Sequence, residues 1–284
     1  MRTNKLISVH IVYNEEEMLE YTALPALKYC DYCVFFDGGP NGPSTDNTSN
    51  ILNNFKKEYG NKVHIQQGTW GTNDLETNHR NWDRELRNAY CKYVEDNLLE
   101  DEEECWMLLW DADETYTFDS MKKIRELINV CNKDGKVMIR YPYINFFYDL
   151  NHTVHDHNFS TPCHHLHIFR EGFRYWDVST LMRDEYGICI THYLPDQILY
   201  TEDIEFYHYG HCASKEKQKL RNWRYIKRGD LGPEKASKLP DSPDKWTDWK
   251  DPREEELKDT NRVKKFEGKH PDHMLEYVEN FNKK

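Results

Sequence analysis

Two aspartates separated by one residue follow an apolar run of six residues that ends at Trp110. The segment reads Asp111, Ala112, Asp113 and Glu114. Because side chains at positions i and i+2 of an extended chain point the same way, Asp111 and Asp113 can face one divalent cation. Carboxylate ligands favour Mg²⁺ or Mn²⁺. An isolated Asp-x-Asp is more often a solvated acidic turn, so the surrounding elements must decide between the two interpretations.

The first part of the chain alternates between strand and helix patterns. Short β-branched or apolar runs, typical of strands, occupy residues 6–12, 33–36, 63–65 and 105–110. Helical patterns lie between them, and this alternation predicts an α/β fold with a Rossmann-like, mainly parallel sheet flanked by helices. Ligands of such sheets gather at the carboxyl ends of the strands. We therefore expect the loops after Val12, Phe36 and Trp110 to meet at one edge of the sheet.

The later part of the chain is less regular. A helix is predicted at Met121–Val130 and a strand at Val137–Tyr143, after which short segments rich in His, Tyr and Phe follow. From Ser214 onward the chain is strongly charged and contains helical patterns. We predict a domain over residues 1–213, with halves 1–114 and 115–213, and a charged, mostly helical C-terminal extension over residues 214–284.

Composition excludes some classes of protein. The 284 residues include 50 acidic and 38 basic side chains, a formal charge of −12, which argues against nucleic acid as a partner. No run approaches the roughly 20 apolar residues of a membrane span, and the start shows no signal-peptide pattern, so we expect a cytoplasmic protein without a transmembrane segment. The eight cysteines lack the spacing of a disulfide framework or a zinc ribbon, and the Cys30–Cys33 pair is interpreted as structural.

Four segments, in order between residues 9 and 211, resemble the family 2 glycosyltransferases with the GT-A fold. They are Val9–Glu16, Val34–Gly39 continued by Ser44–Thr48, Trp106–Glu114, and Tyr207–His211 with the basic stretch behind it. Singly they are weak, but together they are specific. The resemblance implies a metal-dependent, inverting glycosyltransferase, expected to transfer a hexose. Its donor would be a nucleotide-diphosphate sugar, UDP- or GDP-linked, and its acceptor a hydroxyl of a glycan or another molecule.

The resemblance also implies which residues hold the donor. They are Val12, Tyr13, Asn14, Glu15, Asp37, Gly38, Asp111 and Ala112, together with an arginine before the fourth strand. Asp37 would accept a hydrogen bond from a base N–H, and Asp111 would lie near the ribose or the metal. Both Arg80-Asn81 and Arg87-Asn88 match the family's Arg-Asn pair, and either arginine could neutralise diphosphate charge.

The implied metal ligands come from two distant segments. Asp113 would bind Mn²⁺ or Mg²⁺ directly, with Asp111 nearby. His208 would contribute a ligand from the far end of the domain, because imidazole tolerates Mn²⁺, and His211 is the alternative. A hydrogen-bonded histidine on a strand is an equally good interpretation of His208. The ion would act as a Lewis acid on the leaving nucleoside diphosphate.

Two departures from the family pattern bear on the site. The loop after Asp37 contains the additional residues 40–43, which could change the donor side. The His-Glu pair that supplies the base in related enzymes is replaced by residues 178–180, Val-Ser-Thr. Direct displacement needs a carboxylate to take the acceptor proton, and we predict that Asp184 or Glu185 does so.

Two other functions fit part of the pattern. A sugar-1-phosphate nucleotidyltransferase would share the architecture, but it needs a glycine-rich phosphate loop after the first strand, where this chain has Tyr13, Asn14 and Glu15. The absent His-Glu pair is compatible with a non-catalytic carbohydrate-binding protein on the same fold. No Gly-x-Gly-x-x-Gly follows a strand, which excludes a Rossmann dehydrogenase.

Overall fold

The secondary structure is mixed. The computed structural model describes residues 2–39, 41–70, 80–154, 163–175, 182–183, 195–227, 234 and 237–281. The strands are β1 (Arg2–Val12), β2 (Tyr32–Asp37), β3 (Val63–Gln67), β4 (Glu104–Asp111), β5 (Glu114–Tyr116), β6 (Met138–Tyr141), β7 (Ile144–Phe147), β8 (His152–Val154), β9 (Cys163–Phe169), β10 (Arg174–Tyr175), β11 (Met182–Arg183), β12 (Ile198–Tyr200), β13 (Phe206–His211) and β14 (Val263–Lys265). The α-helices are α1 (Leu19–Thr22), α2 (Leu24–Tyr29), α3 (Thr48–Tyr59), α4 (Arg80–Leu98), α5 (Phe118–Asp134), α6 (Lys215–Lys227), α7 (Arg253–Glu256) and α8 (Leu275–Phe281).

The larger sheet has the strand order β12-β6-β9-β4-β1-β2-β3. Strands β3, β2, β1 and β4 run parallel, whereas β9 is antiparallel to both β4 and β6. This confirms the predicted α/β fold with a mainly parallel sheet. The chain progresses outward from β1 to β3 on one side and continues with β4 on the other. The sheet therefore has a topological switch point between β1 and β4, and a crevice forms outside the carboxyl ends of such neighbouring strands.

Helices cover both faces of the larger sheet. Alternate residues of β4 point to opposite faces, so that Trp106 and Leu108 join a core with α2, α3 and α5, while Met107 joins a core with α4. Covering on both faces explains why β4 is a continuous apolar run rather than an alternating one. Burial of these side chains fixes where the strand ends and thus where Asp111 emerges.

One predicted strand was wrong in its extent. The pattern at Val137–Tyr143 gave a single strand, but β6 ends at Tyr141 and a separate strand, β7, begins at Ile144. Pro142 lies between them, and proline has no backbone N–H to donate to a strand ladder. The break allows the chain to leave the larger sheet and enter a second one.

The smaller sheet has the order β14-β8-β7-β13-β5. Strand β13 pairs antiparallel with β5 and parallel with β7, and β14 pairs antiparallel with β8. Since β4 ends at Asp111 and β5 begins at Glu114, Ala112 and Asp113 form the connection between the two sheets. The residues predicted to carry the chemistry thus lie at a structural junction.

The C-terminal segment packs against the smaller sheet. It supplies edge strand β14, and Met274 and Tyr277 share a buried cluster with Phe146 and Tyr209. Helix α6 begins immediately after the predicted boundary at residue 213. None of the helices in the described part of the chain is both long and apolar enough to cross a lipid bilayer.

A buried histidine in the central strand predicts acid sensitivity. His10 is fully buried in β1 and stacks on Phe35 with ring centroids 4.4 Å apart. Burial lowers the pKa of His10 from its ordinary 6.5 to about 3, so the folded state favours the neutral ring. The stabilisation is present above pH 6.5 and is lost as the pH falls toward 3. As the pH falls from 7 to 5, His10 takes up a proton in the unfolded state but not in the folded state. We expect this difference to lower the free energy of unfolding by about 2 kcal/mol.

Urea denaturation at the two pH values measures this loss. The variant His10→Phe keeps a ring against Phe35 but does not titrate. Between pH 7 and pH 5 its free energy of unfolding should therefore fall by about 2 kcal/mol less than that of the wild-type protein. An equal loss in both proteins would show that His10 is not responsible.

Candidate functional site

The junction between the sheets is a tight turn closed by Glu114. Glu114 is 6 % exposed, and its Oε2 accepts a hydrogen bond of 2.9 Å from the Asp111 backbone N–H. The Trp110 indole N–H donates to the Glu114 carbonyl at 2.7 Å. Glu114 therefore holds the backbone of the turn. The Asp111 side chain is 45 % exposed, and the Asp113 side chain is 16 % exposed.

Strand pairing brings His208 to Asp113. His208 lies opposite Glu114 in the β13–β5 ladder, and the Tyr209 N–H donates to the Asp113 carbonyl at 2.8 Å. His208 Nε2 is consequently 3.7 Å from Asp113 Oδ1. The other ring nitrogen, Nδ1, lies 2.7 Å from the amide oxygen of Asn145. A proton on Nδ1 leaves the Nε2 lone pair facing Asp113, which is the arrangement that a metal-binding histidine uses.

Gly210 allows this close approach. A Cβ atom at position 210 would lie 2.5 Å from His208 Nε2 and 2.8 Å from Asp113 Oδ2. Real Cβ atoms essentially never come this close to another atom, so a side chain at position 210 would require His208 or Asp113 to move. The steric requirement gives a physical reason for glycine two residues after the histidine.

Helix α6 presents a basic face to the junction. Lys217, Arg221 and Arg224 are spaced four and three residues apart, so they share one side of the helix, and we call them the basic face. Arg221 Nη2 lies 3.6 Å from Asp113 Oδ2, and its Nη1 donates to the Gly210 carbonyl.

The two ends of the basic face contact the loop after β1. Lys217 Nζ lies 2.5 Å from Glu15 Oε2, and the Arg224 guanidinium lies 5.3 Å from the centre of the Tyr13 ring. The basic face therefore spans the gap between the β1 loop and the Asp113 turn. Regular spacing of basic residues in the sequence is the signal that could have identified all three as site residues.

The carboxylates of the site respond differently to their surroundings. Burial and the neighbouring Asp113 raise the pKa of Glu15, although Lys217 opposes them. Burial also acts to raise the pKa of Asp113, but His208, Arg221 and Lys217 outweigh it and hold that pKa below its ordinary value. Asp113 is thus ionised at neutral pH, and the cations around it balance its charge.

The loops after β1 and β2 are tied together. Asn14 adopts a left-handed backbone conformation with φ 57°, which asparagine tolerates better than most residues. Its N–H donates to Ser44 Oγ and its side-chain oxygen accepts from the Thr45 N–H, each at 2.8 Å. The Glu15 N–H donates to Thr48 Oγ1 at 2.8 Å. These bonds hold the loops after β1 and β2 together at one edge of the sheet. Helix α6 joins them to the turn after β4, because Lys217 contacts Glu15 and Arg221 contacts Asp113.

Asp37 lies at the end of β2 and is fully buried. Its carboxylate accepts hydrogen bonds from the Ser44 N–H at 3.0 Å, the Ser44 hydroxyl, the Ser49 hydroxyl at 3.0 Å and the Gln67 amide at 2.8 Å. These four bonds match the acceptor capacity of a carboxylate. In this structure Asp37 therefore organises the loop after β2, and its contact with a nucleotide base stays a prediction.

Other predicted donor residues differ in their surroundings. Val12 is buried at the end of β1, and Ala112 accepts a hydrogen bond of 2.7 Å from the Thr22 hydroxyl. At Gly38 a Cβ atom would lie 2.1 Å from the Gly68 carbonyl oxygen, so only glycine fits.

The structure describes the side chain of one of the two candidate arginines, Arg87, which lies beside Asp111. Its Nη2 lies 3.7 Å from Asp111 Oδ1, and its side chain is 12 % exposed. Arg80 begins α4, and its side chain lies outside the described part of the chain. The predicted catalytic bases, Asp184 and Glu185, also lie outside the described residues.

Solved structures offer only distant likeness. The chain is similar to S. aureus TarS 1-349 in complex with UDP-GlcNAc at a TM-score of 0.41 and 14 % identity, covering 78 % of this chain and 65 % of that one. For the complex with UDP the TM-score is 0.41 at 14 % identity, covering 79 % and 64 %. For a third structure, TarS 1-349, it is 0.36 at 15 % identity, covering 58 % and 47 %. The chain thus spans about half to two thirds of these structures. No family model and no curated protein matches it.

The ion pair between Glu15 and Lys217 is expected to stabilise the folded protein. Both side chains are largely enclosed, at 15 % and 16 % exposure, so removing one partner leaves an enclosed charge without compensation. We expect Lys217→Met to lower the free energy of unfolding by about 3 kcal/mol. The double variant Glu15→Gln/Lys217→Met should be less destabilised than the sum of the two single variants.

Urea denaturation of the four proteins gives the coupling between the two residues. The pair Lys215–Glu254 is a control, because its side chains are 63 % and 51 % exposed. The variant Lys215→Met should change stability by no more than about 0.5 kcal/mol. Strict additivity at Glu15 and Lys217 would contradict the proposed ion pair.

Proposed function

We propose that this protein is a metal-dependent glycosyltransferase that moves a sugar from a nucleotide-diphosphate donor to an acceptor hydroxyl. The observation that supports this most directly is the approach of Asp113 and His208 at the sheet edge, beside the basic face of α6. A carboxylate and an imidazole with a free lone pair are metal ligands, and adjacent fixed cations suit phosphate. A site with both features is suited to a diphosphate and its divalent ion.

The donor set fits Mn²⁺ or Mg²⁺. Asp113 and His208 would be the protein ligands, because their side chains approach to 3.7 Å. Among the described residues no group of three or more His, Cys, Asp or Glu side chains is positioned to hold a metal, so the diphosphate and water would have to complete the shell. Asp111, whose carboxylate lies beside Arg87, would have to turn toward Asp113 to act as a third ligand. Magnesium-type sites commonly use one or two carboxylates and complete the shell with substrate phosphates and water. When bound, the ion would supply Lewis-acid stabilisation of the leaving diphosphate.

The basic face would neutralise the remaining diphosphate charge. In the structure Lys217 and Arg221 each lie against a carboxylate, Glu15 and Asp113 respectively. A bound diphosphate would compete for these cations, and fixed cations in a partly enclosed site stabilise a developing negative charge strongly. Arg87, beside Asp111, would contribute a further positive charge.

The loop after β1 would hold the nucleoside. The Tyr13 ring contacts the Arg224 guanidinium and also lies close to Gly39. A Cβ atom added at Gly39 would be 3.1 Å from the Tyr13 ring. For the acceptor side we propose Asp184 or Glu185 as the base that takes the hydroxyl proton, with inversion of the sugar by direct displacement. The donor nucleoside would be uridine or guanosine and the transferred sugar a hexose.

Donor hydrolysis tests this function. A panel of UDP- and GDP-sugars with Mn²⁺ should give slow release of nucleoside diphosphate, because water can replace a missing acceptor. We expect Asp113→Asn to reduce the release by about 100-fold or more. The control Asp119→Asn, which changes a carboxylate that is 89 % exposed at the start of α5, should leave it unchanged. Release that persists in Asp113→Asn would refute the assigned site. Donor binding without any release would favour a non-catalytic carbohydrate-binding protein.

Gly210 provides a steric test of the same site. In Gly210→Ala the new methyl group must displace His208 or Asp113, and small misplacements at a reacting centre can cost about 100-fold in rate. We therefore expect donor hydrolysis to fall to about that extent. The control Gly135→Ala strains a left-handed helix end with φ 69°, but its Cβ meets nothing within 4 Å. It should lower the melting temperature and leave hydrolysis intact. Wild-type hydrolysis in Gly210→Ala would contradict the close approach.

A further inference from the structure

A cleft beside the N-terminus of α6 is not used by the proposed donor site. It has a volume of about 620 Å³ and lies between the segment after β1, the end of β7, the start of α6 and helix α8. Volumes of this size are typical of small-molecule sites. Glu17, Tyr148, Ser214 and Phe281 are among the residues that line it.

Aromatic rings form two walls of the cleft. On one side Tyr21, Tyr277 and Phe281 are in sequential contact, with ring centroids 6.0 Å apart for both pairs. On the other side Tyr148 lies over the Arg253 guanidinium at 5.4 Å. Arg253 is itself fixed, because it is 4 % exposed and held by the Asp251 carboxylate. The ring of Tyr148 is thus supported from behind in one orientation.

Tyr148 has a strained backbone. Its φ of 71° lies in the left-handed region, which bulky residues rarely adopt. Such strain persists only where the surrounding structure enforces it, and it is concentrated at functional sites. Glycine or asparagine would relieve it. The strain therefore marks position 148 as one where the surrounding structure holds the backbone in place.

The charges of the cleft do not suit an anion, and its polar groups suit a ligand rich in hydroxyl groups. Its two cations are both paired, Lys215 with Glu254 at 3.1 Å and Arg253 with Asp251, so neither is set up for an anion. The polar groups at its edge include the Glu17 and Glu216 carboxylates and the Asn280 amide, which accept hydrogen bonds from hydroxyls. Aromatic faces with hydrogen-bonding groups at their edges are the surface that a sugar ring matches.

The cleft is connected to the proposed donor site through α6. The Ser214 hydroxyl donates to Glu17 Oε1 at 2.8 Å in the cleft, and one turn later Lys217 pairs with Glu15 in the donor site. From this continuity we infer that the cleft binds a neutral oligosaccharide, a segment of the acceptor glycan beyond the residue that is modified. The acceptor role rests on the proposed function, whereas binding of the oligosaccharide does not.

Saturation-transfer NMR on the full chain tests the binding. The probes are neutral tetrasaccharides of glucose, mannose, galactose and N-acetylglucosamine, with acidic uronate tetrasaccharides for comparison. At least one neutral probe should bind, and Tyr148→Ala and Phe281→Ala should each weaken its affinity by about tenfold. Tyr148→Phe retains the ring and should keep the affinity. Tyr200→Ala, which removes an exposed tyrosine from β12, is the matched control.

Each result decides the inference. Absence of binding by every neutral probe overturns it, as does a preference for the acidic probes. Unchanged affinity in both Tyr148→Ala and Phe281→Ala overturns it as well, provided that circular dichroism shows both variants to be folded. The variant Asp113→Asn separates the two proposals. It should lose donor hydrolysis and keep the oligosaccharide affinity. If the wild-type protein binds the oligosaccharide but hydrolyses no donor, oligosaccharide binding by the cleft is supported and the proposed transferase function is refuted.

Discussion

The pairing of β13 with β5 is the interaction on which the site depends. These two short strands place His208 opposite Glu114, and the Tyr209 N–H fixes the Asp113 carbonyl. Without this ladder the aspartate turn would be an acidic connection between sheets, with its ligands facing solvent. The ladder also positions Gly210, which gives Arg221 a carbonyl to bind. One backbone interaction thus determines the geometry of a carboxylate, an imidazole and a guanidinium.

The charges of the site constrain one another. Asp113 is stabilised as an anion by Arg221 and Lys217 of the basic face, while Glu15 depends on Lys217 to offset the cost of its burial. The carboxylates and the cations of the site neutralise one another. When a divalent cation and a diphosphate bind together, the cation can pair with the carboxylates and the diphosphate with the basic residues, so the net charge of the site changes little. A ligand with only one of the two would leave a charge uncompensated. This explains why we expect metal and donor to bind together.

The sequence predicted the local elements better than the contacts between them. Strand β4 and the turn after it were predictable, because a strand buried on both faces reads as a continuous apolar run that ends where the polar residues begin. The contact between His208 and Asn145 joins residues 63 positions apart, and no local pattern encodes it. The packing of β14 against β8 was missed for the same reason, since three residues of an edge strand within a charged segment carry little signal. The role of Pro142 was readable from the sequence in principle, because proline marks a strand end.

The central claim is that Asp113, His208 and the basic face form one site for a divalent ion and a nucleoside diphosphate. Thermal unfolding of the protein with UDP or GDP, with and without Mn²⁺, tests it most directly. At 100 times the dissociation constant a ligand adds about 2.7 kcal/mol to stability, which is a measurable rise in the melting temperature. We predict that one nucleotide raises the midpoint and that Mn²⁺ enlarges this rise beyond the sum of the separate effects. If no nucleoside diphosphate shifts the midpoint, with or without Mn²⁺, the account is wrong.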